Sequence, residues 1–323
     1  MREFTVNKND AGQRLDKYLT KSFPLLPQAL MYKYIRSKRI KVNAKRAEIS
    51  YRLCEGDTVS LYINDEFFEP VQPKYDFSGA GKTLEIVYED ENILLADKPA
   101  GLLSHPDESE YVDTAITRIK RYLYEKGDYD PEKETSFAPA LVNRIDRNTS
   151  GIIIAAKNAE ALRILNEKLK NREMHKLYLC VVIGKPEKQS GILGGYLEKN
   201  EQQNKVYVTK HSTDRSKEIC TKYTVLGTKN GLSLLEVELL TGRTHQIRAH
   251  FASCGHPLLG DGKYGTNEQN KKFGGYKKQF LYSYKLIFDF KTDAGPLDYL
   301  NHKEFTVKNV WFKDAFFNGT IIR

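Results

Sequence analysis

A carboxylate flanked by two arginines stands near the middle of the chain, where Asp146 lies between Arg144 and Arg147. Nearby guanidiniums favour the charged form of a carboxyl group, so Asp146 is expected to stay ionised. An ionised carboxylate can act as a nucleophile or as a general base. The apolar run at 152–156 follows at once and predicts a buried strand. A structural ion pair at the entrance of that strand would explain the same pattern without any chemistry.

A second candidate group of polar side chains lies at 241–250, directly after an apolar run that predicts another strand. A helix is expected to start near Thr244. His245 and Arg248 then share one helix face, because they are three positions apart. Arg248 can reach a carboxylate such as Asp146, or a phosphate of RNA.

Two further polar residues are placed by a predicted turn and a predicted strand. Pro99 and Gly101 fix a tight turn that presents Lys98. Lys98 can meet a phosphate, although an ordinary surface lysine would look the same. Tyr178 falls on the polar face of a strand predicted at 175–184, where it can stack on a base or move a proton. An amphipathic surface tyrosine is the more common explanation of such a residue.

Composition narrows the class of protein and its partners. The 323 residues carry a net charge of +9, with a pI of about 9.1, which favours a polyanionic partner. The apolar runs are too short for a membrane-spanning helix of about 20 residues, and the N-terminus lacks a signal peptide. The four cysteines are scattered, which indicates reduced thiols. The histidines near 245–256 match no common zinc spacing. We therefore predict a cytoplasmic protein without a metal and without a membrane partner.

The N-terminal part of the chain combines two predicted helices with a basic segment. Asp10 and Pro27 suit the starts of the helices. Within 33–46, seven cations occur without an acidic residue, on and beside a predicted strand that alternates apolar and polar residues. Such a segment can hold RNA phosphates, although a solvated basic face would explain it too. The predicted RNA-binding residues are Lys33, Arg36, Lys38, Arg39, Lys41, Lys45 and Arg46.

Breaks in periodicity divide the chain into an N-terminal module at 1–65, a linker at 66–83 and a larger domain at 84–323. Prolines and glycines interrupt the linker, namely Pro70, Pro73, Gly79 and Gly81. In the larger domain, one helix is expected to end at Gly127 and another to begin after Asn158.

The motifs together resemble those of the RluA-type RNA pseudouridine synthases. The segment at 143–151 resembles their catalytic motif His-Arg-Leu-Asp-x-x-Thr-Ser-Gly, with Asn143 in place of histidine and Ile145 in place of leucine. Gly-Arg-Thr-His-Gln-Ile-Arg-x-His is found at 242–250, and Gly-Asp-x-x-Tyr-Gly at 260–265. Lys-Pro-Ala-Gly and Lys-x-Tyr also match. A Leu-His-Ala usual near the end appears here as Leu-Tyr-Ser at 281–283.

The N-terminal module is similar to the small RNA-binding domain shared by a ribosomal small-subunit protein and the tyrosyl-tRNA synthetases. The matching pieces lie at 14–19, 40–43 and 55–59. The Ser-Arg usual at the start of the second helix is replaced by Pro27 and Gln28.

These resemblances imply an α+β protein. A small N-terminal α/β RNA-binding module would precede a catalytic domain with a mixed, mainly antiparallel sheet and a central cleft. The implied enzyme isomerises uridines in structured RNA to pseudouridine, with ribosomal RNA favoured and transfer RNA as the alternative, and works as a monomer. No cofactor is expected, because the isomerisation involves no redox change and adds no atom from solvent. The target base must leave its stack to be reached.

The resemblance also implies roles for individual residues. Asp146 would be the catalytic carboxylate, Tyr178 would remove the proton from carbon 5, and Arg248 would hold Asp146. Sequence leaves open whether Asp146 attacks the sugar, attacks the pyrimidine ring, or acts as a base at the sugar. The expected substrate-binding residues are Arg144, Thr149, Lys98, Arg243 and His245.

Two other classes of protein fit parts of the pattern. A noncatalytic, ribosome-associated RNA-binding protein would keep the basic surface, but it would have no need of Asp146, Tyr178 and Arg248 together. A glycosidase-like hydrolase usually needs two carboxylates in opposed environments, and the catalytic motif contains one. The identity of the RNA and of the modified uridines does not follow from the sequence.

Overall fold

The structure is a computed structural model that describes residues 1–69, 75–200 and 205–321. At the N-terminus, a three-stranded antiparallel sheet in the order β1-β3-β2 packs against two short helices. The elements are β1 (Arg2–Thr5), α1 (Leu15–Ser22), α2 (Gln28–Arg36), β2 (Ile40–Val42) and β3 (Thr58–Leu61). Leu15, Leu19 and Ile35 from the helices and Ile40 from β2 are almost fully buried between the layers.

The N-terminal module contacts the larger domain through a small set of polar bonds. Asp10 is buried and its Oδ1 accepts from the Ser136 hydroxyl at 2.5 Å. The Asn9 amide donates to Glu134 Oε1 at 2.6 Å, and its oxygen accepts from the backbone N–H of Ala159 at 3.1 Å. These bonds fix the module against two separate segments of the larger domain.

The predicted linker is partly packed onto the two cores. Phe67 and Phe68, in or at the end of a 3₁₀ turn, pack against the core of the N-terminal module. Phe77 is buried in the core of the larger domain. Residues 70–74, which include Pro70 and Pro73, lie outside the described residues.

The larger domain is built on one sheet of eleven strands, and flanking helices cover parts of it. Its strands are β4 (Glu85–Glu89), β5 (Ile93–Lys98), β6 (Ala140–Leu141), β7 (Ser150–Ala156), β8 (Met174–Ile183), β9 (Ser190–Asn200), β10 (Lys205–Thr209), β11 (Lys217–Lys229), β12 (Leu232–Leu239), β13 (Leu281–Phe288) and β14 (Glu304–Thr306). The helices are α3 (Ala115–Lys126), α4 (Ala159–Lys170), α5 (Gln246–Ser253), α6 (Asn267–Lys272) and α7 (Trp311–Asn318).

The strand order across the sheet is β10-β9-β11-β12-β8-β13-β7-β5-β4, with β6 paired to β7 and β14 to β13. Among the described strands, β7 and β13 form the one parallel pair, and every other pairing is antiparallel. The mixed, mainly antiparallel sheet expected from the sequence is therefore confirmed. All seven residues of β7 are buried, as its continuous apolar run predicts.

Helix ends in the larger domain follow the capping residues of the sequence. Gly127 ends α3 in the left-handed region, at φ 87°. Asn158 caps α4, because its side chain accepts from the N–H of Ala161. In the part of the chain that the structure describes, no helix is long and apolar enough to cross a membrane.

Candidate active site

The segment that carries Asp146 is a tight loop leading into β7. The N–H of Thr149 donates to the carbonyl of Asp146 at 3.1 Å, which closes a turn around the carboxylate. The next residue but one, Gly151, has φ +115°, and a Cβ there would lie 2.2 Å from the carbonyl oxygen of Ser283. A glycine is therefore required where β7 meets β13, and it fixes the height of the loop above the sheet.

Lys98 lies beneath this loop and clamps it. Its side chain is 0% exposed, and its ammonium donates to the carbonyls of Pro99, Leu102 and Arg147 at 3.0, 2.7 and 3.0 Å. Three acceptors match the three N–H bonds of a protonated lysine. Burial lowers the pKa of Lys98 to about 7, and the negative charge of Asp146 opposes that shift.

The expected role of Lys98 needs correction. The sequence placed it at the surface of a turn, facing a substrate phosphate, whereas the structure places it in the interior with all three donors occupied by backbone carbonyls. The turn at 98–101 is present, but its contacts support the loop that carries Asp146. The backbone N–H of Gly101 also donates to the carbonyl of Arg147, at 2.8 Å.

Ser104 holds the other side of the loop. Its hydroxyl donates to the carbonyl of Ile145 at 2.7 Å and accepts from the N–H of the same residue at 3.3 Å. The carbonyls on either side of Asp146 are therefore both fixed from the segment 98–104. This leaves the carboxylate as the free end of a rigid loop.

The cation that contacts Asp146 is Arg248, which comes from α5. Its Nη1 lies 2.9 Å from Asp146 Oδ2. Neither of the flanking arginines does this. Arg147 donates to the carbonyl of Gly101 at 3.1 Å, and Arg144 is exposed at the cleft. The expectation that these two guanidiniums hold the carboxylate is thus replaced by a contact between residues more than one hundred positions apart.

Asp261 orients Arg248 from behind. It accepts two hydrogen bonds from the guanidinium, at 2.7 and 3.0 Å, in a buried bidentate pair. Burial acts to lower the pKa of Arg248, but the hydrogen bonds and charges of Asp261 and Asp146 raise it above its ordinary value. Burial acts to raise the pKa of Asp261, and Arg248 lowers it below its usual range. The pair is therefore fully charged at neutral pH.

His245 lies next to the same carboxylate, in a strained backbone conformation. It precedes α5 with φ 54° and ψ 18°, in the left-handed region that non-glycine residues rarely adopt. The helix thus begins at Gln246, two residues later than the sequence suggested. His245 Nε2 is 3.8 Å from Asp146 Oδ2, and Nδ1 is 2.9 Å from the hydroxyl of Tyr264. Burial lowers the pKa of His245, while Asp146 opposes that shift.

Tyr178, on β8, lines the cleft from the floor of the sheet and is 5% exposed. Burial raises the pKa of its phenol to about 12, the Ser283 hydroxyl opposes the shift, and the charge of Asp146 adds to it. The phenol is therefore neutral at physiological pH. Lys176 lies two residues earlier on the same strand and also lines the cleft.

These groups surround a cleft of about 880 Å³. Asp146 is 24% exposed on its side chain and opens into this space. The structure places six of the expected residues around it besides Asp146: Arg144, Thr149, Tyr178, Arg243, His245 and Arg248. Arg144 and Arg243 are exposed at its rim, whereas Thr149 is buried and accepts from the amide of Gln279 at 2.8 Å.

Sequence reasoning missed several residues that shape the site, above all Asp261 and Ser104. Asp261 lies in the Gly-Asp-x-x-Tyr-Gly motif at 260–265. The signal that could have identified its role was an acidic side chain within reach of Arg248. Nothing in the local pattern marked Ser104, because its partner Ile145 lies 41 positions away. Asn143, which departs from the family motif, accepts from the N–H of Ile154 at 2.8 Å and so secures the start of the loop.

The other departure from the family pattern, at Tyr282, lies outside the cleft. Its hydroxyl donates to Asp97 Oδ2 at 2.6 Å. The remaining histidines of α5 and its end have separate partners. His250 pairs with the Thr221 hydroxyl at 3.0 Å, and His256 with the carbonyl of Ile183 at 3.1 Å.

The basic residues of the N-terminal module form a surface of their own, which we call the basic surface (Lys33, Arg36, Lys38, Arg39, Lys41, Lys45 and Arg46). All but Lys41 are exposed. Arg39 lies over the ring of Tyr34 and Lys41 over that of Tyr62, both at 5.2 Å from the ring centroid. Within the described residues, none of the seven forms an ion pair with a carboxylate. Their charges are thus free for an anionic partner.

Comparison with known proteins agrees with this fold. The family model for RNA pseudouridylate synthase matches residues 92–253, and that for the S4 domain matches residues 13–59. An RNA pseudouridine synthase of Mycoplasma capricolum is 33% identical, over 94% of this chain and 96% of the relative. The ribosomal large subunit pseudouridine synthase C of Rickettsia bellii is 36% identical, over 89% and 93%. The structure of human RNA pseudouridylate synthase domain containing 1 shares the fold, with a TM-score of 0.53 at 21% identity, over 66% of this chain and 81% of that one.

The family model and the relatives, together with this fold, thus define an RNA-modifying isomerase. The chain belongs to the RNA pseudouridylate synthase family, of the RluA type with an N-terminal S4 domain, and is an RNA pseudouridine synthase.

Replacing the buried ammonium beneath the loop tests whether the clamp matters. Lys98→Met leaves three backbone carbonyls without a donor, so we expect the free energy of unfolding to fall by about 3 kcal/mol in urea titrations. We also expect turnover of the folded enzyme to fall about 100-fold, because the loop no longer fixes Asp146.

Lys168→Met is the matched control, because Lys168 is also buried and pairs with Glu173 at 2.9 Å, outside the cleft. It should lose comparable stability and keep its turnover. Equal turnover in the two variants would contradict a role of Lys98 in placing the loop.

Proposed function

We propose that this enzyme converts uridine to pseudouridine with Asp146 as its catalytic carboxylate, and that ribosomal RNA is its substrate. The observation that carries the proposal is the position of Asp146. Its carboxylate opens into a cleft of about 880 Å³ and is held from one side by Arg248 at 2.9 Å. A carboxylate fixed in this way pays little reorganisation when it reacts.

The reaction requires three events at one base. The bond between nitrogen 1 and the sugar breaks, the base turns, and carbon 5 joins the same sugar carbon. Asp146 can begin this by attacking the sugar, by attacking the pyrimidine ring, or by removing a proton from the sugar. In all three routes Arg248 stabilises the negative charge of the carboxylate until it reacts, and again when the carboxylate is regenerated. Asp261 is saturated by Arg248 and by backbone N–H groups, so it does not serve as a second acid.

Tyr178 is proposed to handle the proton that leaves carbon 5. Its raised pKa means that it works from the neutral phenol, since a free phenolate is rare at neutral pH. The phenol oxygen therefore takes up the carbon-5 proton as its own proton passes to a neighbouring acceptor. Asp146, whose charge acts on Tyr178, is a suitable acceptor once it is again a free carboxylate. Nitrogen 1, which has lost its bond to the sugar, takes up one proton in exchange, so the isomerisation neither gains nor loses a proton.

Arg144, Arg243, His245 and Thr149 are proposed to bind the substrate. The target base must be extruded to reach Asp146 at the floor of the cleft. Arg144 and Arg243 are exposed at the rim, where a guanidinium can hold a phosphate or fill the space the base leaves. His245 and Thr149 shape the wall that faces the base. The 36% identity to a relative named for the ribosomal large subunit supports ribosomal RNA.

The first prediction concerns Asp146. Asp146→Asn keeps the shape of the side chain but removes its negative charge, so release of tritium from carbon 5 of labelled uridine in ribosomal RNA should be abolished. RNA affinity should stay within about threefold of the wild type, because one carboxylate contributes little to phosphate binding. Transfer RNA serves as the second substrate in the same assay. Release from transfer RNA alone would contradict the proposed substrate, and undiminished release by the variant would contradict the proposed catalyst.

The second prediction concerns Tyr178. Tyr178→Phe removes the hydroxyl and keeps the ring, so tritium release should slow by about 100-fold or more, in the range of general acid–base catalysis. Cleavage of the glycosidic bond should be less affected, and RNA affinity unchanged. Tyr223→Phe is the control, since Tyr223 is another buried tyrosine of the same core but lies outside the cleft. A Tyr178→Phe enzyme as fast as this control would remove Tyr178 from the mechanism.

The third prediction concerns the basic surface. Lys38→Gln combined with Arg39→Gln should weaken RNA binding and reduce the slope of log affinity against log salt by about 2, one for each lost phosphate contact. Lys185→Gln combined with Lys188→Gln removes the same charge from another exposed segment and should leave the slope unchanged. Equal slopes for the two double variants would mean that the basic surface is merely solvated.

A further inference from the structure

A second cavity, of about 620 Å³, lies on the opposite face of the sheet from the catalytic cleft. Thr149, just before β7, and Leu281, the first residue of β13, line the cleft, whereas the residue after each, Ser150 and Tyr282, lines the second cavity. Successive side chains of a strand point to opposite faces, so the two cavities share a wall of sheet. The proposed reaction makes no use of this cavity, which is large enough for a nucleotide.

An exposed aromatic side chain forms one wall of the second cavity. Trp311, the first residue of α7, is 52% exposed. Its ring lies against the buried ring of Phe280, with the centroids 4.5 Å apart. An indole that is supported on one side and open on the other is a platform on which a nucleobase can stack.

A carboxyl group with unused acceptor capacity forms another part of the wall. Asp97 Oδ2 accepts from the hydroxyl of Tyr282, whereas Oδ1 is buried from solvent and has no hydrogen-bond partner among the described residues. Burial raises the pKa of Asp97, and the neighbouring Glu85 adds to that shift. A carboxylate accepts up to about four hydrogen bonds. A ligand that brings N–H donors would therefore stabilise its ionised form.

Two lysines at the mouth of the cavity supply positive charge. Lys277 and Lys278 are exposed and line the cavity. In the described ranges 1–69, 75–200 and 205–321, neither of them forms an ion pair. An aromatic platform, a carboxylate acceptor and two free cations together match a nucleotide. Guanine fits the acceptor well, because N1 and the exocyclic amino group present two donors on one edge.

The second cavity shares two lining residues with the surroundings of the catalytic carboxylate. Lys277 and Gln279 line it, and both also line a smaller cavity of about 350 Å³ that contains Asp146 and Arg248. An RNA strand can therefore run from the cleft across Lys277 to Trp311. We infer that the second cavity binds a guanosine nucleotide of the substrate RNA that lies near the target uridine. This inference rests on the proposed function and adds a specificity subsite to it.

The chain contains a single tryptophan, so its fluorescence reports on this cavity directly. Titration of the full-length protein with guanosine 5′-monophosphate should quench Trp311 in a saturable curve. Uridine 5′-monophosphate should require at least about tenfold higher concentration, because it presents a single ring N–H to Asp97. Absence of quenching by guanosine monophosphate, or equal curves for the two nucleotides, would overturn the inference.

Lysine variants test the contact with the phosphate. Lys277→Ala combined with Lys278→Ala should raise the Kd for guanosine monophosphate about tenfold and leave that for guanosine unchanged. Lys308→Ala combined with Lys313→Ala is the matched control, because both are exposed and lie outside the cavity lining. An equally large rise in Kd for the control pair would mean that Lys277 and Lys278 act only through general electrostatic attraction. That result would overturn their assignment to the phosphate.

A binding assay with ribosomal RNA distinguishes a nucleotide within the RNA from a free nucleotide. Trp311→Ala should weaken binding of ribosomal RNA about tenfold, and Trp311→Phe should restore most of the affinity, because it keeps an aromatic face. Unchanged RNA affinity in Trp311→Ala, with quenching by guanosine monophosphate intact in the wild type, would assign the cavity to a free nucleotide and overturn the inference. This assay measures binding alone. Its outcome is therefore independent of whether Asp146 is the catalyst.

Discussion

The site depends on one buried guanidinium that is shared by two carboxylates. Arg248 donates to Asp261 through Nε and Nη2, and to Asp146, on the side of the cleft, through Nη1. Removing a charge of this kind from water is costly, and the bidentate pair with Asp261 offsets that cost. The contact with Asp146 is then a second ion pair, made through a single hydrogen bond at the edge of the cleft. Without the two bonds to Asp261, the guanidinium of Arg248 would be free to change its orientation, and the geometry of Asp146 would be lost.

The loop of Asp146 is held through its backbone carbonyls. Lys98 and Ser104 fix the carbonyls that flank Asp146 and leave its side chain untouched. This arrangement explains why the loop tolerates Asn143, whose side-chain oxygen accepts from Ile154 of β7 and secures only the start of the loop. The same arrangement explains which elements of the fold surround the loop. The loop needs the turn after β5 below it and α5 beside it, and the parallel contact of β7 with β13 sets its height through Gly151.

Local features of the sequence predicted the elements, and some of the long-range contacts as well. Gly127 and Asn158 mark helix ends because caps act within one turn, and the run at 152–156 marks a strand because burial on both faces leaves an apolar pattern. Arg248 was placed within reach of Asp146 because the motifs suggested it. Local rules did not predict the burial of Lys98. A lysine at the end of a strand and before a proline is usually exposed. The three carbonyl acceptors of Lys98 come together only when the segment 98–102 packs against Arg147 in the folded protein. The left-handed His245 was missed for the same reason, since α5 is set by its packing in the site.

The N-terminal module bears on the chemistry through the rigidity of its attachment. Residues 128–138 have the polar composition of a mobile loop, yet Ser136 and Glu134 are bonded to Asp10 and Asn9 of the module. Because Asp10 is buried in this contact, its hydrogen bonds resist exchange with water. The basic surface is therefore held in a constant relation to the cleft. Under the proposed function, phosphate contacts at this surface would raise the local concentration of the target uridine at Asp146, so the module would contribute to selection of the site even through contacts that read no sequence.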